Sequence, residues 1–556
     1  MNKSNKLIRS LLAYSLALLL VFSNIVTPAL AIELSIRAEE YETAQAHDTE
    51  SEKEQDNESA TENSSVPLDE NSSAPLGDNN SMPLDENSSA PLDENNSTLP
   101  GDNSSAEEPA TMVKIGARAA DSDWERLRHA IEDLGAETIL IYTADLGITE
   151  NIAAGIMVIN DRSDGSIHRA GNESYITVKR KVEIMAGSFS RPVTLYTGDL
   201  SHQQGNEGRH FHVLIDGELT LNNGIILDGG SDIAGTNNYL GGVYVLNGEL
   251  VLKGNPEIRN CIAKDQGGGV YVQDYGRLSM EGGSITENTA AGNSTGGGVF
   301  VTNGDFNMTG GVINRNYALI GGGVACEGQF RMSGGKITDN TAASLLNGGG
   351  NGGGVAIHNG GDFEMYNGAE ISGNKAGAEG GGVVIANNGS FTMHGGVIDR
   401  NDARGDGGGV SIGTRESNSE AKFTMKGGTI SRNTAFKGGG GIFIGKLCEF
   451  VMGGDAIIME NEAESGGGVS GDSESIISIE SGTVISNIAQ WGGGVQASGQ
   501  LTMTGGLVTK NKAYTGGGVL QSYELGNFIL NGGEITENIA YQNGGGVKIG
   551  NEFNFN

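Results

Sequence analysis

The sequence predicts an all-β chain: a right-handed parallel β-helix, a solenoid with three strands per coil. A short N-terminal capping helix precedes it, and a disordered acidic linker precedes the helix. Three observations predict this. A triple glycine followed by a branched apolar residue recurs from Gly267-Gly268-Gly269-Val270 to Gly544-Gly545-Gly546-Val547, with a weaker copy at Leu240-Gly241-Gly242-Val243. The spacing of roughly 24 to 32 residues is that of stacked supersecondary units. Each glycine run opens an alternating segment such as Val299-Phe300-Val301, then a Phe/Leu-x-Met segment, and alternation of period two specifies strand. Each unit then closes on Ile-x-x-Asn-x-Ala, as in Ile285-Thr-Glu-Asn288-Thr-Ala290.

Composition agrees with a thin, continuous core. Of 556 residues, 92 are glycine, and only 37% are hydrophobic, because each unit buries itself only against its neighbours. Glycine follows no three-residue period, which excludes collagen.

Residues 1–31 have the form of a secretory signal. Lys3, Lys6 and Arg9 precede an apolar run from Leu11 to Phe22, and Ala29-Leu30-Ala31 is a small-x-small cleavage site. Residues 32–120 read as a disordered linker. Between Ile32 and Ala110 there are 21 acidic and two basic residues, a difference of −19 within the chain's net −34. The octad beginning Val66-Pro-Leu-Asp-Glu-Asn-Ser-Ser73 repeats through Ser105, and its Pro, Ser, Asn and Asp suit an extended spacer.

Residues 121–239 are expected to form an N-terminal cap and irregular coils. Trp124, Leu127, Ile131 and Leu134 have helical spacing between Asp121-Ser122 and Gly135, so one amphipathic helix should cover the first edge of the stack. Strands are expected at 138–142, 156–159, 175–184, 193–196, 211–215, 218–221 and 225–227. Residues 240–556 are the regular repeats. Twelve repeat starts plus four N-terminal coils, at about 4.8 Å each, give a rod of about 75 Å.

The asparagine signal is the most specific. Asn288, Asn316, Asn340, Asn374, Asn401, Asn433, Asn461, Asn487, Asn511 and Asn538 each follow Ile or Val by three residues and precede Ala by two. Stacking places these amides in one column inside a bend, bonded to backbone and to each other. The alternative is a row of ligand amides. Cys261 holds the asparagine slot of one unit, and Cys326 and Cys448 fall at inward positions, so all three cysteines are expected in the core, unpaired and inert.

The pairing of a Gly-Gly-x-Val segment with an x-x-Asn segment resembles the repeats of chlamydial polymorphic outer-membrane proteins, and more broadly bacterial surface proteins with a right-handed parallel β-helix. The resemblance covers the chain from about Asp121 onward. Those repeats pair Gly-Gly-Ala-Ile with Phe-x-x-Asn, whereas here Val ends the glycines and Ile precedes the asparagine. The resemblance implies a surface protein, and a C-terminal membrane β-barrel that these residues do not supply. The last unit stops mid-coil at Glu552-Phe553-Asn554-Phe555, so a continuation beyond Asn556 is expected, with the anchor in it.

β-Helix polysaccharide enzymes raise the question of catalysis. Asp305, Glu364 and Glu449 occupy outward positions but are scattered, and no pair suggests acid and base. Asp161, Asp164 and Gly165 lack the spacing of a calcium loop. The run Gly348 to Gly354 lacks the Asp of a calcium nonapeptide and the Lys of a phosphate loop. No catalytic residue, cofactor or metal site is assigned. The remaining candidate is a row of aromatics in the bend after Asn-x-Ala: Phe436, Trp491, Tyr514 and Tyr541, interrupted by Glu464. Such a row can hold sugar rings or a protein partner, or merely cover the neighbouring coil.

The expected function is therefore an exported, adhesin-like or interaction scaffold at the cell surface, with an extracellular glycan or protein as ligand. No nucleic-acid partner and no membrane insertion after signal cleavage are expected. The alternatives are a secreted polysaccharide lyase or glycoside hydrolase, and a purely structural stalk.

Overall fold

The computed structural model describes residues 122 to 550, apart from 144–155, 160–165, 170–174, 188–191, 198–207, 231–241, 265, 345–348, 415–419 and 523–525. The chain divides into two units at Thr111, and all described residues belong to the second, Met112–Asn556. The signal segment, the acidic linker, the Asp161–Gly165 loop, Leu240-Gly241, Gly348 and the final Glu552–Phe555 lie outside the described residues.

The described residues form a parallel β-solenoid of three sheets, all of them built by pairing each coil with the next. The valine sheet runs from Ile176–Val178 through Phe211–Val213 and Val243–Leu246 to Val547–Ile549. It contains 14 described strands, and the last twelve open the regular coils. The phenylalanine sheet carries two strands of each coil, such as Asp305–Met308 and Val312–Asn314, and the alanine sheet carries short strands such as Tyr317–Ala318. The three expected faces are thus present, and the third segment of the repeat contributes to two of them. It bends between Ile-x-x and Asn-x-Ala, so each coil has four strand segments.

That bend has a cause the repeat motif does not display. The residue before each ladder asparagine, or before Cys261 in its slot, is left-handed. Asn260, Glu287, Arg315, Asp339, Gly373, Arg400, Arg432, Glu460, Ser486, Lys510 and Glu537 all have φ between 52° and 67°. A left-handed residue costs a non-glycine side chain about 1 kcal/mol or more, so something must compensate it in every coil.

The asparagine column supplies that compensation. Asn401 shows the pattern. Its side-chain amide donates to the Ile371 carbonyl and to Asn433 Oδ1, both at 3.0 Å, and its backbone N–H donates to the same Oδ1 at 2.9 Å. Its own Oδ1 accepts from the backbone and side chain of Asn374. Nine such side-chain links join the ten asparagines, and from Asn288 to Asn511 they are 0–1% exposed. The sequence offset between ladder neighbours ranges from 24 to 34 residues while the geometry stays constant. At its first end the column is closed by Cys261, whose N–H donates to Asn288 Oδ1.

The triple glycine faces this column, and each of its members has its own reason. Gly296 is left-handed at φ 69°. A Cβ on Gly297 would lie 2.3 Å from the Gly322 oxygen and 2.5 Å from that of Tyr317. One on Gly298 would lie 2.7 Å from the Gly323 oxygen and 3.0 Å from Asn316 Nδ2. Only glycine lets the corner close this tightly.

Inside, like packs on like. Phe306, Phe330, Phe363, Phe391 and Phe423 stack with centroids 4.5–4.6 Å apart, and Phe450 continues the column tilted at 5.3 Å. The methionines of the same strands form a parallel buried column. All three cysteines are buried and none forms a disulfide, and burial pushes the Cys326 thiol up to about 12 and raises that of Cys261 further, which disfavours the thiolate in both.

The helix α1 spans Asp123–Glu132, with Ser122 as N-cap accepting from the Glu125 N–H, and Gly135 left-handed beyond its end. Trp124, Leu127, Ala130 and Ile131 are buried, whereas Leu134 is half-buried. Glu132 accepts a hydrogen bond from Thr177 N–H at 2.7 Å, so the helix end occupies the first edge of the valine sheet. The strand expected over 175–184 is two strands, Ile176–Val178 and Lys181–Ala186, because the chain turns a corner at 179–180 between sheets. Ser166–His168 is a strand that the pattern does not announce. Arg209, 2% exposed, donates to the carbonyls of Val243, Gln266 and Gly267. It satisfies acceptors at the corner where the regular glycine motif begins.

Two outcomes are expected. Asn401→Ala removes the acceptor of the Asn374 N–H and one donor to the Ile371 carbonyl, and should cost roughly 3 to 5 kcal/mol, read as lost hydrogen-exchange protection in the flanking coils; Asn538→Ala, at the end of the column, should cost roughly 1 kcal/mol. His210 donates from Nε2 to the Leu195 oxygen and keeps a bare, buried Nδ1, and burial pushes its pKa down to about 4. The unfolded imidazole titrates near 6.5, so this contribution is complete above pH 6.5 and is lost as pH falls toward 4, by roughly 3 kcal/mol. His210→Gln should flatten that part of the melting-temperature profile.

Candidate groove on the alanine sheet

Chemistry on a solenoid must come from outward side chains, and a number of the charged ones are committed to a neighbouring coil. Arg331 pairs with Glu364 at 2.6 Å, Lys422 with Glu449 at 2.9 Å, Lys336 with Glu370 at 2.7 Å and Arg315 with Glu287 at 2.8 Å. Each pair joins adjacent coils, so these charges reinforce register. Asp399 accepts both bonds of the Arg432 fork and one from Ser431, and these partners outweigh its burial and hold its carboxyl below the usual range. Glu364 also accepts from Tyr366 Oη at 3.0 Å, and the Arg331 hydrogen bond holds its carboxyl low. Among the described residues no three His, Cys, Asp or Glu side chains gather as a metal site.

The last five complete coils differ. On the alanine sheet the inward position is Ala435, Ala463, Ala489, Ala513 and Ala540, in register from coil to coil. The residue after each alanine therefore points outward, giving the row Phe436, Glu464, Gln490, Tyr514 and Tyr541. Phe436 is 75%, Tyr514 51% and Tyr541 76% exposed. With Glu462 and Ile488 from the preceding outward row, they line a shallow groove of roughly 500 Å³.

Three of the four expected aromatics thus share one row. Trp491 does not. It lies two residues beyond its alanine, in register with Ser465 and Thr515, and is half-buried. Gln490 takes the outward place instead. The reason is the period of the strand: one residue along reverses the side that a side chain occupies. The asparagines expected as a turn device are buried and mutually bonded, leaving no amide free for a ligand.

A second aromatic stripe escapes sequence reading. Tyr175 stacks on His212 at 3.5 Å, followed by Tyr244, Tyr271 and Phe300 at 5.3–5.4 Å steps. From His212 onward they hold the middle position of their strands, which read Val-x-Val from Tyr244 on, on the outer side of the valine sheet. With Ile320, Tyr271 and Phe300 join Ala325, Ala356 and Val384 in an apolar cluster separate from the core. The signal for it was the period-two alternation itself, which marks that position as outward and, in these coils, aromatic.

No protein-family model matches this sequence, and no curated protein or solved structure is significantly similar to it.

The groove and the core should respond oppositely to truncation. Tyr514→Ala and Tyr541→Ala are expected to change stability by about 0.5 kcal/mol or less, whereas Phe363→Ala, inside the stack, should cost roughly 3 to 5 kcal/mol by thermal melting.

Proposed function

We propose that this chain is an exported, adhesin-like scaffold of the cell surface that holds an extracellular glycan along its alanine-sheet groove. One observation carries the reading: Phe436, Tyr514 and Tyr541 stand exposed in one straight row with Gln490 and Glu464 between them. Exposed flat rings offer faces for sugar rings, and carboxamide and carboxylate groups accept and donate to hydroxyls. Neighbouring coils are about 4.8 Å apart, close to the length of one pyranose in an extended chain. A polysaccharide lying parallel to the axis meets a new side chain at each sugar. The signal-like N-terminus and the resemblance of the repeats to bacterial surface proteins support export and display.

A hydrolase is the second reading, and Glu462 with Glu464 favours it, because both project from one strand into the groove with Cα atoms about 6.6 Å apart. Both are exposed, however. Release of reducing ends from a glycan panel, with and without calcium, separates hydrolase from binder.

For the binding reading, a glycan array with the full chain should give hits that weaken by roughly tenfold or more in the Phe436→Ala/Tyr514→Ala/Tyr541→Ala variant, with circular dichroism unchanged. Hits unaffected by the triple variant would place the ligand elsewhere on the rod, and no hits at all would leave the stalk reading.

A further inference from the structure

We infer that the ligand of this groove is cationic, an amino-sugar polymer with free amines; the inference rests on the glycan reading above. The groove sets two exposed carboxylates, Glu462 and Glu464, among exposed aromatic rings. In several columns an outward carboxylate has a base one coil away, as in Glu449 with Lys422, Glu370 with Lys336 and Glu364 with Arg331. Glu462 stands in register between Thr434 and Ile488, and Glu464 lies in the row between Phe436 and Gln490. Both are exposed, and neither carboxylate has an ion pair or side-chain hydrogen bond among the described residues.

Two unpaired carboxylates on one strand, about 6.6 Å apart, repel each other and attract a cation between or above them. The Phe436 face in the next coil on one side, and Tyr514 two coils away on the other, extend the attraction, because an ammonium over a ring is stabilised by its quadrupole. A neutral glycan uses the rings and leaves both charges unanswered. A uronic-acid polymer is repelled. A chain of glucosamine units places an ammonium at each sugar while keeping flat apolar faces for Tyr514 and Tyr541.

A basic peptide offers the same charge but fits the floor less well. The strands that carry Glu464 and Gln490 pair with the coils on either side. They present no free edge there for a peptide to join as an added strand. Sugar recognition needs only faces and hydrogen-bonding groups.

The test is titration calorimetry of the full chain at mildly acidic pH with a β-1,4-glucosamine hexamer and its fully N-acetylated twin, with oligolysine as a third probe. The glucosamine hexamer is expected to bind roughly five- to tenfold tighter than the twin, and Glu462→Gln/Glu464→Gln should abolish that difference. Equal or tighter binding of the N-acetylated hexamer overturns the cationic inference and leaves the glycan reading standing. A preference that survives Glu462→Gln/Glu464→Gln is general attraction to an acidic chain, and overturns it as well. Binding of oligolysine alone assigns the groove to a basic peptide, and silence from all three probes overturns both readings.

Discussion

One hydrogen bond, from the side-chain amide of an asparagine to that of the next coil, sets the cross-section of this solenoid. Each amide must reach two neighbours and one carbonyl at once. That requirement fixes the left-handed residue before it, which turns the backbone so that the asparagine N–H points along the axis. It also fixes the third glycine opposite, because a Cβ on Gly298 would stand 3.0 Å from Asn316 Nδ2. Turn strain, glycine content and the buried polar column are three consequences of one geometry. A half-satisfied column would be worse than none, so the ladder has to be continuous.

Much of this was legible in the sequence because the ladder constrains side chains. Asn, the preceding Ile or Val, and the triple glycine each have one acceptable chemistry, so they recur visibly. The left-handed position was not legible. It constrains only the backbone, and its side chain faces solvent, so Glu, Arg, Asp, Lys, Ser, Asn and Gly all fill it. The split of the third segment into two strands was hidden for the same reason. Ser166–His168 and the corner inside 175–184 lie where no repeat supports the reading. Trp491 shows the limit of counting from a motif: the expected bend is the strand Ile488–Trp491, and a single residue decides which side of a strand is wet.

The candidate groove has the converse character. Its floor of alanines is set by the fold and was readable, but its row is made of positions the fold leaves free. Phe, Glu, Gln and Tyr are equally compatible with an outward place on the alanine sheet. Their grouping becomes visible only when register lines up residues 24 to 28 apart in sequence. Several charged columns obey a stricter pattern, since an acid and a base in adjacent coils add to register. In the groove two carboxylates lack such a base and exposed aromatic rings stand in the same row, which marks a surface shaped by something other than the stack itself.

The variable offset between ladder neighbours also governs how such a chain can change over generations. A loop can lengthen by ten residues between Asn340 and Asn374, relative to the Asn316–Asn340 step, and the column continues at the same hydrogen-bond length. Because each coil contacts only its neighbours, a whole coil can be copied or lost with one pair of interfaces exchanged for an equivalent pair. Length therefore varies in discrete steps, and a binding row can be extended sugar by sugar by duplicating the coil that carries it.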